Sequence, residues 1–182
     1  MKVISGILKG RNIKGYDIDG TRPTMDRVKE SIFSTIQNEI KDSTILDLFC
    51  GSGNLGIEAI SNGCKLCYFI DNNPKIINIA NENINNFNIK DKSKVLNFDY
   101  KKSIKYFSEK NIKFDVIFAD PPYDYHVIEK ILTLIDKYDI LNDNGIVVVE
   151  FEKENLEDCY GKLKLVKDKK YGWRYVYIYK KC

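Results

Sequence analysis

Five short apolar runs alternate with helical patterns along most of the chain, and this alternation limits the folds that the chain can adopt. The helical patterns span residues 53–61, 75–87, 100–109 and 127–138. Apolar runs without polar alternation are typical of strands that are buried on both faces, as in a parallel sheet covered by helices. The five apolar runs span residues 44–50, 65–71, 93–99, 114–120 and 145–151.

The two ends of the chain add other elements to this pattern. Residues 2–16 predict a short hairpin with glycine turns, and residues 24–39 predict a helix that Thr24 could cap. Residues 162–172 and 173–181 predict two strands joined by a tight turn. We therefore expect an α/β fold with a doubly wound, Rossmann-like, mostly parallel seven-stranded sheet that ends in an antiparallel hairpin.

The domain prediction follows from the same pattern and from the length of 182 residues, which suits one domain with a substantial core. We expect a single domain over residues 1–182. Residues 1–42 form its N-terminal hairpin and helix extension, and residues 43–182 form its catalytic Rossmann-like core. The N-terminus lacks the layout of a signal peptide, and no apolar run reaches the length of a membrane span, so a cytoplasmic location without membrane contact is expected.

Four of the predicted strands carry an acidic residue at or near their carboxyl ends, Asp47 in the first of them, and ligands bind at this end of a doubly wound sheet. The first strand is followed by Gly51-Ser52-Gly53-Asn54-Leu55-Gly56, a GxGxxG pattern that opens a helix. The later strands are followed by Asp71, Asp99 and Asp120. A helix-capping role could explain Asp71 or Asp99 singly, but it does not explain the set.

The carboxylate of Asp47, inside the first predicted strand, decides between two ligand classes. The first ligand class is a dinucleotide, because the GxGxxG pattern with an acid 20 residues after Gly51 suits an NAD-dependent dehydrogenase. A carboxylate at position 47 would repel a pyrophosphate, however, and would attract the ammonium group of an amino-acid ligand. S-adenosylmethionine has that ammonium, a ribose and an adenine but no phosphate, and Asp47, Asp71 and Asp99 suit these three parts.

The run Asp47-x-Phe49-Cys50-Gly51-Ser52-Gly53-Asn54-Leu55-Gly56 resembles the first motif of S-adenosylmethionine-dependent methyltransferases. Binding titrations with S-adenosylmethionine and with NAD would separate this prediction from the dehydrogenase alternative. The predicted cofactor-binding residues in the core are Asp47, Cys50, Gly51, Ser52, Gly53, Asp71, Asn72 and Asp99.

Asp120-Pro121-Pro122-Tyr123 resembles the [DNS]-P-P-[YF] motif of methyltransferases that act on exocyclic base amines or side-chain amides. The Asp120 carboxylate and the Pro121 carbonyl could accept the hydrogens of an amine, whose lone pair is otherwise delocalised. Pro122 would stiffen the backbone, and Tyr123 would stack on a flipped base. DNA adenine-N6 and protein-glutamine methyltransferases remain alternatives, although the first usually has a recognition domain and the second usually has Asn at this position.

The basic residues are concentrated at the two ends of the chain. Residues 1–16 and 162–182 together carry a net charge of +11, whereas residues 17–161 carry −8. Such ends suit a polyanionic partner, although a solvated lysine-rich surface and a non-catalytic RNA-binding module are alternatives. The predicted RNA-binding residues are Lys9, Arg11, Lys14 and Arg27.

Two N-terminal segments narrow the resemblance from methyltransferases in general to one family. They are Ile4-Ser5-Gly6-x-x-Lys9-Gly10-Arg11 and residues 21–33, TRPTMDRVKESIF. They resemble the opening of the bacterial family that methylates the N2 amine of a guanine in 16S ribosomal RNA. Ser5 departs from the glycine expected there. The resemblance implies a cytosolic methyltransferase that uses S-adenosylmethionine and acts on the assembling small ribosomal subunit. We also expect the protein to be a monomer. Arg22 and Thr24 would then close over the cofactor.

The cysteines predict neither a disulfide framework nor a metal site. The chain has five cysteines, and Cys64-x-x-Cys67 is the only CxxC pair. His126 is the only histidine, so a tetrahedral zinc site would lack ligands. A redox role for this pair is the alternative to two small apolar side chains at the start of a strand.

Overall fold

The computed structural model describes residues 1–15, 23–121, 125–151 and 156–182, without the side chains of residues 23–25 and 125–126. Five strands carry the predicted parallel sheet: β1 (Thr44–Asp47), β2 (Leu66–Asp71), β3 (Ser93–Asn97), β4 (Phe114–Ala119) and β5 (Leu141–Phe151). Three antiparallel strands follow: β6 (Cys159–Tyr160), β7 (Leu163–Tyr171) and β8 (Arg174–Lys181). The fold class predicted from the sequence is confirmed, and the two-residue strand β6 adds an eighth strand to the seven expected.

The strand order in the sheet is β3-β2-β1-β4-β5-β8-β7-β6. The chain runs outward from β1 through β2 to β3 and then returns to the other side of β1 with β4. The carboxyl ends of β1 and β4 therefore form a topological switch point, which is where ligands bind in open α/β sheets.

In the described part of the chain, six helices accompany the sheet: α1 (Pro23–Thr35), α2 (Gln37–Ile40), α3 (Asn54–Ser61), α4 (Pro74–Phe87), α5 (Tyr100–Glu109) and α6 (Tyr125–Tyr138). Alternate residues of each central strand enter opposite cores. Ile45 packs with Ile32 of α1 and Ile57 of α3, whereas Leu46 packs with Ile104 of α5 and Ile131 of α6. Burial on both faces explains why these strands are continuously apolar. Within the described part of the chain, no helix is long and apolar enough to span a bilayer.

The N-terminal hairpin expected over residues 2–16 is present in the described residues 1–15 but is short: the Val3 amide donates to the Arg11 carbonyl and the Ile13 amide to the Met1 carbonyl. Residues 1–15 make a single antiparallel bridge between Lys2 and Asn12, and a 3-10 turn occupies Gly6–Leu8. The cause lies in tertiary contacts. Val3 and Ile13 are buried in the core, and the backbone amides of Ile4 and Ser5 donate to a side chain of α3 instead of continuing a ladder.

The helix expected over residues 24–39 begins one residue earlier and is interrupted. Pro23 is the first residue of α1, so Thr24 lies inside the helix and does not cap it. A proline is favoured in the first helical position because that position has no intrahelical partner for its amide. Ile36 separates α1 from α2 with φ −105° and ψ 22°. Arg22 lies outside the described residues.

Candidate functional site

The switch point brings the predicted glycine loop and the Asp120-Pro121 pair together. Asp47 of β1 is in register with Phe118 of β4, and the Leu48 amide donates to the Phe118 carbonyl at 3.0 Å. On the other side of β1, the Cys50 amide donates to the Ile70 carbonyl of β2 at 2.9 Å. Residues 50–53, which we call the glycine loop, thus lie between the ends of β2 and β4.

The glycines of this loop are required for two different reasons. Gly53 has φ +86°, a conformation that side chains other than glycine rarely adopt, and it directly precedes α3. Gly56 lies inside α3, where a Cβ atom would come within 2.2 Å of the Phe69 ring of β2. Gly53 therefore permits the turn and Gly56 permits close packing of the helix on the sheet, as in other GxGxxG loops.

Asp47 lies beneath the glycine loop with only 2% of its surface exposed. Its carboxylate accepts a hydrogen bond from the Gly56 amide at 2.9 Å. Burial raises the pKa of Asp47 to about 7, the Gly56 hydrogen bond opposes the increase, and the nearby Asp71 charge adds to it. The structure thus shows a contact between Asp47 and α3, while the predicted contact with a ligand ammonium stays a prediction.

This raised pKa gives a pH dependence of stability. An unfolded aspartate titrates near 3.8, and Asp47 titrates near 7 in the fold, so the folded chain binds the extra proton between these values. The free energy of unfolding should therefore lose the contribution of Asp47 as the pH rises from about 4 to about 7. We expect Asp47→Asn to remove that decline in urea unfolding measured across this range. Parallel pH profiles for the wild type and the variant would contradict the assignment.

Asp71 closes the other side of the loop. Its carboxylate accepts from the Gly51 amide at 3.2 Å and from the Asn73 amide at 2.9 Å. A carboxylate offers about four acceptor positions, so these two bonds orient Asp71 and leave it capacity for a ligand hydroxyl. Asn72 follows directly and is exposed. The side chain of Asn97, at the end of β3, donates to the Asp71 carbonyl at 2.8 Å.

Asp99 is the N-cap of α5. Its Oδ1 accepts from the backbone amides of Lys101 and Lys102 at 2.9 and 3.1 Å. The capping explanation that sequence analysis allowed for this residue is therefore present in the structure. Its predicted role beside an adenine ring stays a prediction. Asn73 caps α4 in the same way by accepting from the Lys75 amide, and it was not singled out from the sequence.

Asp120 is partly exposed and Pro121 is buried, directly after β4. Beneath them the Phe118 ring packs against Phe33 of α1 at 5.6 Å between centroids. The predicted residues Pro122 and Tyr123 lie outside the described residues, as does the side chain of Thr24. The described part of the motif thus stands at the switch point, beside the glycine loop.

All four predicted RNA-binding residues, Lys9, Arg11, Lys14 and Arg27, are exposed, and their contact with RNA stays a prediction. The Arg11 guanidinium donates to the Asn86 carbonyl at 2.6 Å and lies over the Phe87 ring, and Lys14 pairs with Glu82. Arg11 and Lys14 thus contact α4.

A buried polar network behind the glycine loop was missed from the sequence. The Lys29 ammonium of α1 pairs with Glu58 of α3 at 2.9 Å, and the two side chains are 2% and 0% exposed. Lys29 also donates to the Asn54 side chain at 2.8 Å and to the Lys2 carbonyl at 2.7 Å. The sequence feature that could have indicated this network is the charge of Lys29, which lies among the apolar positions of a helix, close to Val28 and Ile32.

Glu58 receives four further hydrogen bonds from the N-terminal segment, from the Ile4 amide to both of its oxygens and from the Ser5 amide and hydroxyl. Asn83 of α4 makes a second link, because its amide donates to the carbonyls of Lys14 and Ser52. Residues 1–15 and α1 are therefore fastened to the elements that hold the glycine loop.

The thiols of the Cys64-x-x-Cys67 pair are buried. Burial raises the pKa of the Cys64 thiol to about 12 and that of Cys67 well above its ordinary value. Buried thiols of this kind are unreactive. Cys50 is also buried, and its thiol pKa is raised by burial and by Asp47 and Asp71. The described residues contain no group of three His, Cys, Asp or Glu side chains that could hold a metal ion.

A Rossmann-like sheet whose switch point combines this glycine loop with an Asp-Pro pair defines a methyltransferase that uses S-adenosylmethionine as its cofactor. Asp71 and the loop have the acceptor capacity and the close backbone approach that such a ligand needs. The sequence model of the family described as Conserved hypothetical protein 95 matches residues 1–180. The chain belongs to this family, which includes the ribosomal RNA small subunit methyltransferase D proteins, and the resemblance found in the sequence is confirmed.

Individual relatives agree with this assignment. YlbH of Bacillus subtilis is 39% identical over 182 residues, which span 100% of this chain and 99% of YlbH. Ribosomal RNA small subunit methyltransferase D of Haemophilus influenzae is 32% identical over 155 residues, 85% of this chain and 80% of that protein. The solved structure of yhhF from Escherichia coli has a TM-score of 0.88 and 27% identity, with 100% of this chain and 97% of yhhF covered.

Proposed function

We propose that this chain methylates the exocyclic N2 amine of a guanine in 16S rRNA, on the assembling small ribosomal subunit in the cytoplasm. The observation that carries the proposal is the position of Asp120 and Pro121 at the switch point, next to the glycine loop. The names of the relatives support the substrate class. The Haemophilus influenzae protein is named a ribosomal RNA small subunit methyltransferase, and the name of YlbH describes it provisionally as an rRNA methyltransferase.

The proposed chemistry needs acceptors at the amine. An exocyclic amine is a weak nucleophile because its lone pair is delocalised into the ring. The Asp120 carboxylate and the Pro121 carbonyl would accept its two hydrogens and turn the nitrogen lone pair outward. S-adenosylmethionine supplies an electrophilic methyl group bound to a sulfonium. The amine forms the new N–C bond as the S–CH3 bond breaks, and the amine proton then leaves through Asp120 to solvent.

The remaining site residues receive roles that follow from their positions. Asp71 would bind the ribose hydroxyls, because it borders the glycine loop and keeps acceptor capacity. Asp47 would hold the loop in place through Gly56 and would attract the methionine ammonium. Asn72 and Asp99 would border the adenine. The roles of the remaining predicted residues rest on the sequence motifs alone: Arg22 and Thr24 would close over the cofactor, and Pro122 and Tyr123 would complete the base pocket.

The tip of the β7–β8 hairpin supplies a basic and aromatic surface near this pocket. Tyr175 of β8 pairs with Phe151, at the carboxyl end of β5, so the turn at 171–174 extends beyond the same edge of the sheet as the switch point. Arg174 stacks on Trp173, whose surface is 42% exposed, and pairs with Glu150. The accessible basic groups at this tip are the exposed Lys169 and Lys170. Basic and aromatic groups of this kind bind single-stranded RNA. Lys9 and Arg27, both exposed, could contact further phosphates.

The proposal is tested by nucleoside analysis of the RNA. In a strain that lacks the gene, mass spectrometry of 16S rRNA should show the loss of one N2-methylguanosine, and the restored gene should return it. Purified protein should then methylate small subunits from the deletion strain. A gain or loss of methyladenine instead, or an unchanged set of 16S nucleosides, would contradict the guanine-N2 assignment. Parallel reactions with free 16S rRNA would separate the assembled subunit from naked RNA as the substrate.

A further inference from the structure

A basic groove lies between α5 and α6, on a face of the molecule to which no role has yet been given. The groove has a volume of about 480 Å³ and is open to solvent. Its lining consists of four lysines with one leucine and one tyrosine: Lys101, Lys102, Lys105, Lys130, Leu134 and Tyr138. The middle of the chain carries a net charge of −8 over residues 17–161, so this concentration of positive charge is a local feature of the fold.

The groove begins at the edge of the sheet that carries the switch point. Tyr100, the first residue of α5, packs its ring on Phe49, just before the glycine loop, at 5.8 Å between centroids. Lys101 and Lys102 follow in the first turn of α5, and their amides are held by Asp99. Helix α6 begins at Tyr125, four residues after Pro121. Lys130 therefore lies about 7 Å along α6 from its start.

The charges of the groove call for an anionic partner. Lysines grouped around one cleft repel each other, and a bound polyanion relieves that repulsion. The Lys105 side chain lies 3.7 Å from Glu109 but remains 62% exposed, so the pairing leaves its charge accessible to solvent. The ammonium groups of Lys101 and Lys102 lie over the rings of Tyr100 and Phe98, at 5.7 and 4.2 Å from the ring centroids. These contacts hold the two lysines along the entrance.

We infer that this groove binds the phosphates of the RNA strand that continues from the methylated nucleotide. The inference rests on the proposed function, because it takes rRNA as the substrate of the switch point. The four lysines would contact successive phosphates, and the Tyr138 ring with Leu134 would form an apolar floor against which a base can lie. The substrate would thus be held on both sides of the target guanine, by the hairpin tip on one side and by the groove on the other.

The test compares two triple variants with the same loss of charge. Lys101→Gln, Lys102→Gln and Lys130→Gln remove groove charges. Lys41→Gln, Lys65→Gln and Lys90→Gln form the control, because these exposed lysines precede β1, β2 and β3 at the opposite edge of the sheet. Glutamine keeps the helix propensity close to that of lysine, so both variants should fold.

The readouts are the KM for small subunits from the deletion strain at several salt concentrations, the kcat, and the affinity for S-adenosylmethionine. We expect the groove variant to raise the KM on the order of tenfold, and to flatten the slope of log KM against log salt by about 2 because each lost phosphate contact contributes 0.7–0.9. The kcat and the cofactor affinity should match those of the control. A groove variant with the same KM and the same salt slope as the control would overturn the inference. This is the result expected if the groove binds an acidic protein instead of RNA.

The two proposals can fail separately. If the wild-type protein does not methylate small subunits, the proposed function fails. The groove is then judged by direct binding of a single-stranded oligoribonucleotide, where the same difference in salt slope between the variants is expected. If the wild type methylates the subunits and the two variants behave alike, the inference about the groove fails and the proposed function stands.

Discussion

Replacement of Asp120 by alanine is expected to lower the single-turnover rate on small subunits by about 10²–10⁴-fold, the range of positioned acid–base groups. The carboxylate should matter most when the amine nitrogen becomes positively charged in the transition state, so the loss should appear in the rate of the chemical step. Asp47 and Asp71 remain in this variant, and the affinity for S-adenosylmethionine measured by calorimetry should stay within about twofold of the wild type.

Two further variants sharpen this test. Asp120→Asn keeps one acceptor oxygen without the charge and should give a smaller loss of rate than Asp120→Ala. Asp91→Ala removes an exposed carboxylate next to the start of β3, at the opposite edge of the sheet, and should methylate at the normal rate. Near-normal methylation by Asp120→Ala would mean that the Asp-Pro-Pro-Tyr segment only ends a strand.

Removal of Glu58 is expected to destabilise the fold by about 3–5 kcal/mol, the cost of breaking a buried ion pair by deleting one partner. Glu58→Ala leaves the Lys29 ammonium buried with only two neutral acceptors, the Lys2 carbonyl and the Asn54 side chain. It also leaves the amides of Ile4 and Ser5 without their acceptor. Urea unfolding should show this as a lower midpoint with a similar m value.

The matched control is Glu109→Ala, which breaks the exposed pair of Glu109 with Lys105 and should change the free energy of unfolding by less than about 1 kcal/mol. Glu58→Gln should fall between the two, because its carbonyl oxygen can still accept from one backbone amide. If Glu58→Ala were no more destabilising than Glu109→Ala, the network would not be what fastens residues 1–15 to α3.

The amino-acid sequence by itself determined the layers of the fold. Each central strand is a run of apolar residues because both of its faces are buried, and each helix carries apolar residues at helical spacing. These are local signals, and they identified the five parallel strands, the terminal hairpin and the helices between them. The glycine loop and Asp120-Pro121 could be recognised for the same reason, because a turn with positive φ favours glycine and a strand end favours proline. Both signals lie within a few residues of the sequence.

Tertiary structure alone decided which distant residues meet. Lys29 and Glu58 come from different helices, and nothing within a few residues of either one specifies the other as its partner. The sequence also did not show that the Arg11 guanidinium lies over Phe87 of α4, a contact that leaves its predicted role in RNA binding a prediction. The N-terminal hairpin could be recognised from the sequence, but only the fold shows that the carboxylate of Glu58 supplies the acceptor for two of its amides.

The basic groove shows the same limit most clearly. Lys101, Lys102 and Lys105 belong to α5 and Lys130 belongs to α6, and the part of the chain between Lys105 and Lys130 contains acidic and apolar residues. They come together only because β4 returns beside β1, which places α5 and α6 side by side on one face of the sheet. Charge counted along the sequence averages over such a cluster, whereas the electrostatic potential at a groove depends on distances in space.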